Sequence, residues 1–167
     1  KEFVPEIFDQ FLKDNNCRII FKPHPHEEAL VFDYLSNYPL ENMLLLKDAH
    51  LGNHNVDLYE ILNAAEILIT DYSSIFDDYL LLDRPIIFAP VDIDSYKNNR
   101  GFCIESFNDW APGPKVFDQD TLQDEISRCL KGNSYYQDQR AMMRNLLHRY
   151  KDGESSRRLW EFIVKIL

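Results

Sequence analysis

The stretch Ile67–Leu82, ILITDYSSIFDDYLLL, decides the fold. Ile67, Leu68, Ile69 and Thr70 suit a buried strand, whereas Ile75, Phe76, Tyr79, Leu80 and Leu82 recur at helical spacing. The period changes at Asp71-Tyr72-Ser73-Ser74, so a strand runs through a tight polar turn into a helix. A helix start leaves backbone N–H groups unpaired and carries partial positive charge, which favours an anion, and small hydroxyl side chains let a phosphate approach closely. Ser73 and Ser74 are the residues this argument places under a phosphate. The same residues also read as a simple helix start, because Ser74 followed by Asp77 has the spacing of a capping box.

Working outward, strands and helices alternate. Val4–Asp14 carries Ile7, Phe8, Phe11 and Leu12 at helical spacing, and Cys17–Lys22 reads as a short buried strand stopped by Pro23-His24-Pro25. Glu27–Leu35 reads as a helix, Met43–Leu46 as a strand, Leu58–Ala65 as a helix and Pro85–Ala89 as a strand preceded by a helix ending at Asp83-Arg84. Apolar strands that do not alternate in polarity imply α/β architecture: a Rossmann-like parallel sheet with helices on both faces. Ligands of such folds bind at the carboxyl ends of the strands, which places Lys22-Pro23-His24 and Asp71-Tyr72-Ser73-Ser74 on one edge. Residues 91–114 read as a long irregular loop, and Gln119–Leu130, Ser134–His148 and Glu154–Leu167 as three helices, the last with an apolar stripe of Leu159, Phe162, Ile163 and Ile166.

A length of 167 residues and 45% hydrophobic content are enough for one domain with its own core. No apolar run reaches the roughly 20 residues of a membrane span, and the first ten residues lack a signal-peptide pattern. Cys17, Cys103 and Cys129 are odd in number and widely spaced, which argues against a disulfide framework and a zinc site and fits a cytoplasmic setting. The net charge of −10 disfavours nucleic-acid binding, since that needs a basic face. The charge is uneven: residues 128–167 are net +5 while residues 1–127 are net −15, an asymmetry that can mark a surface for anionic partners. The bland reading of Arg140, Arg144, Arg157 and Arg158 is that they are solvated helix faces.

His24, held between prolines after a strand, can donate to a phosphate oxygen or move a proton near neutral pH. Arg100-Gly101 in the long loop offers a guanidinium fork and a glycine that lets backbone approach a phosphate. Asp152-Gly153-Glu154-Ser155-Ser156 repeats the logic of the opening turn before the last helix, as a second anion seat or as an ordinary capped turn. Asp77 and Asp78 can accept from ribose hydroxyls or complement the helix dipole. His50 and His54 lack the intervening glutamate of a zinc helix, and Asp92-Ile93-Asp94 is a weak metal signal in so acidic a chain. Neither a dinucleotide fingerprint nor a P-loop is present.

Several blocks, in order, carry a family resemblance: Phe21-Lys22-Pro23-His24-Pro25, Ile67–Ser74 with Phe76-Asp77, Pro85-Ile86-Ile87-Phe88, Arg100-Gly101-Phe102, Ala111-Pro112-Gly113-Pro114, and Asp152-Gly153. Together they resemble the CDP-glycerol glycerophosphotransferases, the teichoic acid polymerases and primases. The resemblance implies one lobe of a GT-B fold, with residues 1–167 forming a single donor-binding domain of a longer two-lobe enzyme. It implies a CDP-alditol donor and a polyol-phosphate or lipid-linked acceptor reached through the other lobe; no cofactor is required, and the sequence does not demand a divalent metal. His24 is the implied catalytic residue. The resemblance carries His24, Ser73 and Ser74 over to the donor pyrophosphate and Asp77 to the ribose; with the residue reading above, Lys22, His24, Asp71, Ser73, Ser74, Asp77, Arg100, Gly101, Gly153 and Ser155 are the expected donor-binding set. The full-length protein is expected in the cytoplasm, with peripheral contact at the inner face of the membrane. A UDP-type glycosyltransferase or epimerase lobe, and a non-catalytic nucleotide-binding module, are the competing expectations.

Overall fold

The computed structural model describes residues 3–99, 101, 106–132 and 134–167. Arg100, Phe102 and Cys103 therefore lie outside the described residues.

Pro5 opens helix α1 (Pro5–Asp14), where its missing N–H costs nothing, and α1 buries Phe8 and Leu12. Strand β1 (Ile19–Phe21) pairs in parallel with β2 (Met43–Leu45) through helix α2 (Glu28–Leu35), with Ile19 opposite Met43. Helices α3 (Asp48–His54) and α4 (Leu58–Leu62) lead to β3 (Leu68–Thr70), and α4 starts at a capping box of Asp57 and Glu60. Strand β3 enters α5 (Ile75–Tyr79), which tightens into a 3-10 turn at Leu80–Leu82 and leads to β4 (Ile86–Phe88). β3 and β4 pair in parallel, with Ile69 opposite Ile87. Residues 114–116 extend this pair, since Phe88 N–H donates to Pro114 O (2.9 Å) and Val116 N–H to Phe88 O (2.8 Å). Helices α6 (Ile93–Asn99), α7 (Phe107–Trp110), α8 (Gln119–Cys129), α9 (Gln137–Leu147) and α10 (Ser155–Ile166) complete the order.

The core has two parts divided by β4. Ile87 faces Phe8, Leu12, Met43, Val116, Ile126 and Cys129, whereas Ile86 and Phe88 face Phe76, Tyr79, Leu80, Ala111 and Met143. All three β4 residues are at most 1% exposed, so this strand is covered on both faces, as its unbroken apolar run requires. Ile19 and Phe21 of β1 and Ile69 of β3 pack on the first part of the core, which ties the two strand pairs together.

The parallel strands form two pairs: among the described residues no ladder joins β1 to β3. Two sequence expectations are corrected. The 91–114 loop contains α6 and α7, short helices whose apolar positions are too few to set a period. Arg140 is no solvated side chain. It is 1% exposed, donates to Tyr135 O and lies 3.7 Å from the Asp83 carboxylate, so burial lowers its pKa while Asp83 opposes that fall.

Candidate functional site

The turn after β3 is built by its own side chains. Asp71 Oδ1 accepts from Ser73 N–H (2.8 Å), an Asx turn that reverses the chain immediately beyond Thr70. Ser74 occupies the N-cap position of α5 in a helical conformation, and its hydroxyl makes no capping bond. The capping-box reading of Ser74 and Asp77 is thereby corrected: the helix is started by backbone geometry, with Asp77 N–H donating to Ser74 O (3.0 Å). Asp71, Ser73 and Ser74 are all exposed. Tyr72 instead points inward, stacked on Tyr96 of α6 (centroids 4.1 Å apart, planes at 29°) and edge-on to Phe107 of α7 (6.1 Å). Sequence reasoning passed over Tyr72. The available signal was an aromatic inside an otherwise polar turn, with Tyr96 and Phe107 in a segment too aromatic for a plain connector.

The loop after β1 is held more tightly. Lys22 Nζ contacts Asp48 (2.8 Å) and Glu28 (3.0 Å) and donates to Pro23 O (2.9 Å). Burial opposes its charge, but these hydrogen bonds outweigh burial and hold its pKa above the ordinary lysine value. The same contacts, first the Asp48 backbone N–H and then Lys22, hold the Glu28 carboxyl below its usual range. Lys22 thus ties the starts of α2 and α3 together, and it would release a carboxylate before it could grip a phosphate. His24 is exposed, and its carbonyl accepts from Glu27 and Glu28 N–H at 2.8 and 3.1 Å. Its Nδ1 accepts from His26 N–H (3.3 Å), which leaves Nε2 to carry the N–H as an outward donor.

Asp77, half-buried one turn into α5, has its carboxyl raised by burial and by Asp78, with His148 acting in the opposite sense. His148 Nε2–H donates to the Asp77 carbonyl (2.7 Å) and ties the end of α9 to α5. Gly101 has φ +71° and donates from its N–H to Tyr96 O (3.1 Å), so it terminates α6. Gly153 also has φ +71°. Asp152 accepts from Glu154 N–H (3.1 Å) and pairs with Arg158, which together hold its carboxyl at about 2. Ser155 begins α10 as an exposed residue. The structure describes no contact that brings Gly153 or Ser155 to the turn after β3. Among the described residues no group of three or more His, Cys, Asp or Glu is arranged to hold a metal ion.

Parallel strand pairs joined by helices, with polar loops at the carboxyl ends of β1 and β3, define a Rossmann-like α/β domain with its ligand loops where such folds bind nucleotides. Residues 4–165 match the model of the CDP-glycerol:poly(glycerophosphate) glycerophosphotransferases, and the chain belongs to that family. It is 31% identical over 113 residues to a teichoic acid glycerol-phosphate primase of Bacillus subtilis strain 168, covering 68% of this chain and 28% of the primase. It is 42% identical over 89 residues to a teichoic acid poly(glycerol phosphate) polymerase of Bacillus spizizenii, covering 53% of this chain and 21% of that polymerase. The solved wall teichoic acid polymerase TagF superposes with a TM-score of 0.71 at 28% identity, over 98% of this chain and 38% of TagF. The fold is thus that of one lobe of a GT-B enzyme. The chain spans under a third of the length of these two curated relatives.

Proposed function

We propose that this chain binds the donor in an enzyme that moves glycerol phosphate, or a similar alditol phosphate, from a CDP-alditol to a teichoic-acid-like polymer or lipid-linked acceptor. The observation that carries the reading is the Asp71–Ser74 turn: it ends β3, holds its shape through Asp71, and presents two serines, of which Ser74 has no capping duty. Family membership supports it, as does a TagF variant soaked with CDPG, which superposes with a TM-score of 0.69 at 27% identity.

In the proposed reaction an acceptor hydroxyl attacks the β-phosphorus, the bond from that phosphorus to the bridging oxygen breaks, and CMP leaves. Charge grows on the phosphate oxygens, so fixed donors aimed at them lower the barrier. The Nε2–H of His24 and the hydroxyls of Ser73 and Ser74 are the donors assigned here, with Arg100 as a further cation and Asp77 accepting from the ribose. Neither cofactor nor metal enters the step. The base and acceptor site belong to a second lobe of a longer enzyme working in the cytoplasm. Among the described residues no helix is long and apolar enough to cross a membrane. Helix α10 supports peripheral contact with the membrane's inner face, because it has no buried residue and exposes Leu159, Phe162 and Ile166.

Calorimetric titration of CDP, UDP and CDP-glycerol tests the reading. CDP-glycerol is expected to bind, and CDP to bind at least about tenfold tighter than UDP, a difference of 1.4 kcal/mol. The reading fails if none binds and Ser73→Ala and His24→Ala leave the full-length enzyme unchanged; a UDP preference would favour a glycosyltransferase or epimerase lobe.

A further inference from the structure

The loop that carries His24 has few donors of its own. Pro23 and Pro25 lack an N–H, so the segment between β1 and α2 is fixed through its acceptors. Pro23 O accepts from Lys22 Nζ (2.9 Å), His24 O from the N–H groups of Glu27 and Glu28 (2.8 and 3.1 Å), and His24 Nδ1 from His26 N–H (3.3 Å). Backbone supplies all of these donors except one, the ammonium of Lys22.

That ammonium is fully engaged. It has three N–H donors, and they meet three acceptors: Asp48 Oδ1 (2.8 Å), Glu28 Oε1 (3.0 Å) and Pro23 O (2.9 Å). The Lys22 side chain is 14% exposed, against 61% for Lys13, so little of it is open to a further anion. Glu28 Oε1 also accepts from Asp48 N–H (2.9 Å), which closes a ring of bonds through the starts of α2 and α3. Glu28 therefore works at both ends: its carboxylate meets Lys22, while its N–H meets His24 O. Lys22 and His24 are thus joined twice, once through Pro23 and once through Glu28. The cluster holds one positive and two negative charges. Without Lys22 the carboxylates of Glu28 and Asp48 would face each other across the same gap, and their repulsion would move the start of α2 together with its bonds to His24 O.

We propose that Lys22 is a positioning residue for His24 and not a ligand of the donor: it holds Pro23 O and Glu28, and these hold the His24 backbone so that Nε2–H faces outward beyond the carboxyl end of β1. Its effect on the donor passes through His24, and that consequence rests on the donor-site reading. The grip of Lys22 on the loop does not.

Amide hydrogen exchange and calorimetric titration with CDP test this in the chain carrying Lys22→Met. Exchange at the Glu27 and Glu28 amides is expected to speed up at least about tenfold, while the Phe88 amide, bonded to Pro114 O in the buried strand β4, keeps its parent rate. CDP affinity is expected to fall about tenfold when His24 is present, and by less than about twofold when Lys22→Met is made in a His24→Ala background. Lys22→Met combined with Asp48→Asn keeps the cluster at the parent's net charge of −1, and it is expected to give the same pattern should the single variant fail to fold. An equal loss of CDP affinity with and without His24 makes Lys22 a direct donor ligand and overturns the inference. Unchanged exchange at Glu27 and Glu28 overturns it too. So does faster exchange at Phe88 as well as at Glu27 and Glu28 with CDP affinity intact, the mark of a purely structural lysine. If CDP does not bind the parent chain, the donor-site reading falls, and the exchange comparison, which needs no nucleotide, decides whether Lys22 positions His24.

Discussion

Gly113 is where a single methyl group should cost the most. A Cβ added there would lie 2.0 Å from the Ile86 carbonyl oxygen, 3.0 Å from its carbon and 3.2 Å from the Phe88 ring. Ile86 and Phe88 are at most 1% exposed and cannot yield, and Pro112 and Pro114 fix the backbone on either side, so residues 112–116 must retreat by about 1 Å to clear the overlap. Retreat breaks the two bonds from Phe88 to Pro114 and Val116, about 1 kcal/mol each, and opens the packing of Val116, about 1 kcal/mol more. Gly113→Ala is therefore expected to lose about 3 kcal/mol, or roughly 6–12 °C in Tm for a chain of this size. Thermal unfolding followed by circular dichroism reads this directly. Gly52→Ala is the matched control, since a Cβ there meets nothing within 4 Å inside α3 and should gain about 0.5–1 kcal/mol. A Tm for Gly113→Ala within 1 °C or so of the parent would refute the steric argument.

Ser74→Ala should separate binding from stability: with no capping bond to lose, unfolding should shift by less than about 0.5 kcal/mol, while CDP affinity falls about tenfold. A comparable loss of stability would restore the capping role. Asp9 accepts from Asn42 N–H (2.7 Å) and Asn42 Nδ2 (3.2 Å); burial opposes its charge, yet these bonds hold its carboxyl below the ordinary value. Its stabilisation is thus complete above about pH 4 and lost as pH falls through the depressed pKa, so Asp9→Asn should flatten the acid limb of a stability–pH curve and leave its slope near neutrality unchanged. Asp83 adopts φ +52°, which asparagine tolerates, so Asp83→Asn removes only the charge facing Arg140 and Arg144. A loss of about 2–3 kcal/mol is expected in urea unfolding, partly recovered by Arg140→Met; strictly additive losses would show that the pair is not coupled.

The period change at Asp71 and the apolar runs at Ile19, Met43, Leu68 and Ile86 made the strand–helix order legible, because burial on both faces leaves a composition signal that short length does not erase. α6 and α7 were not legible, since seven and four residues hold too few apolar positions to establish a period. The environment of Arg140 was also hidden: its charge partner, Asp83, is brought to it by tertiary packing, and nothing local separates it from Arg144. Within the site, the exposed turn was readable from Asp71 and the serines. The commitment of Lys22 to Glu28 and Asp48 was not, because Asp48 reaches it across a strand pair.

The stacking of Tyr72 on Tyr96 carries a thermodynamic consequence for the turn beside it. A loop that folds around its ligand loses about 1–2 kcal/mol of backbone entropy per residue at the moment of association. Here the aromatic contacts with α6 and α7 and the Asp71 Asx turn impose that loss during folding, when it is shared with the whole core. The heat of nucleotide association should then carry little ordering penalty, and Tyr72→Ala should shift the entropy of association to less favourable values while leaving every polar group of Ser73 and Ser74 in place.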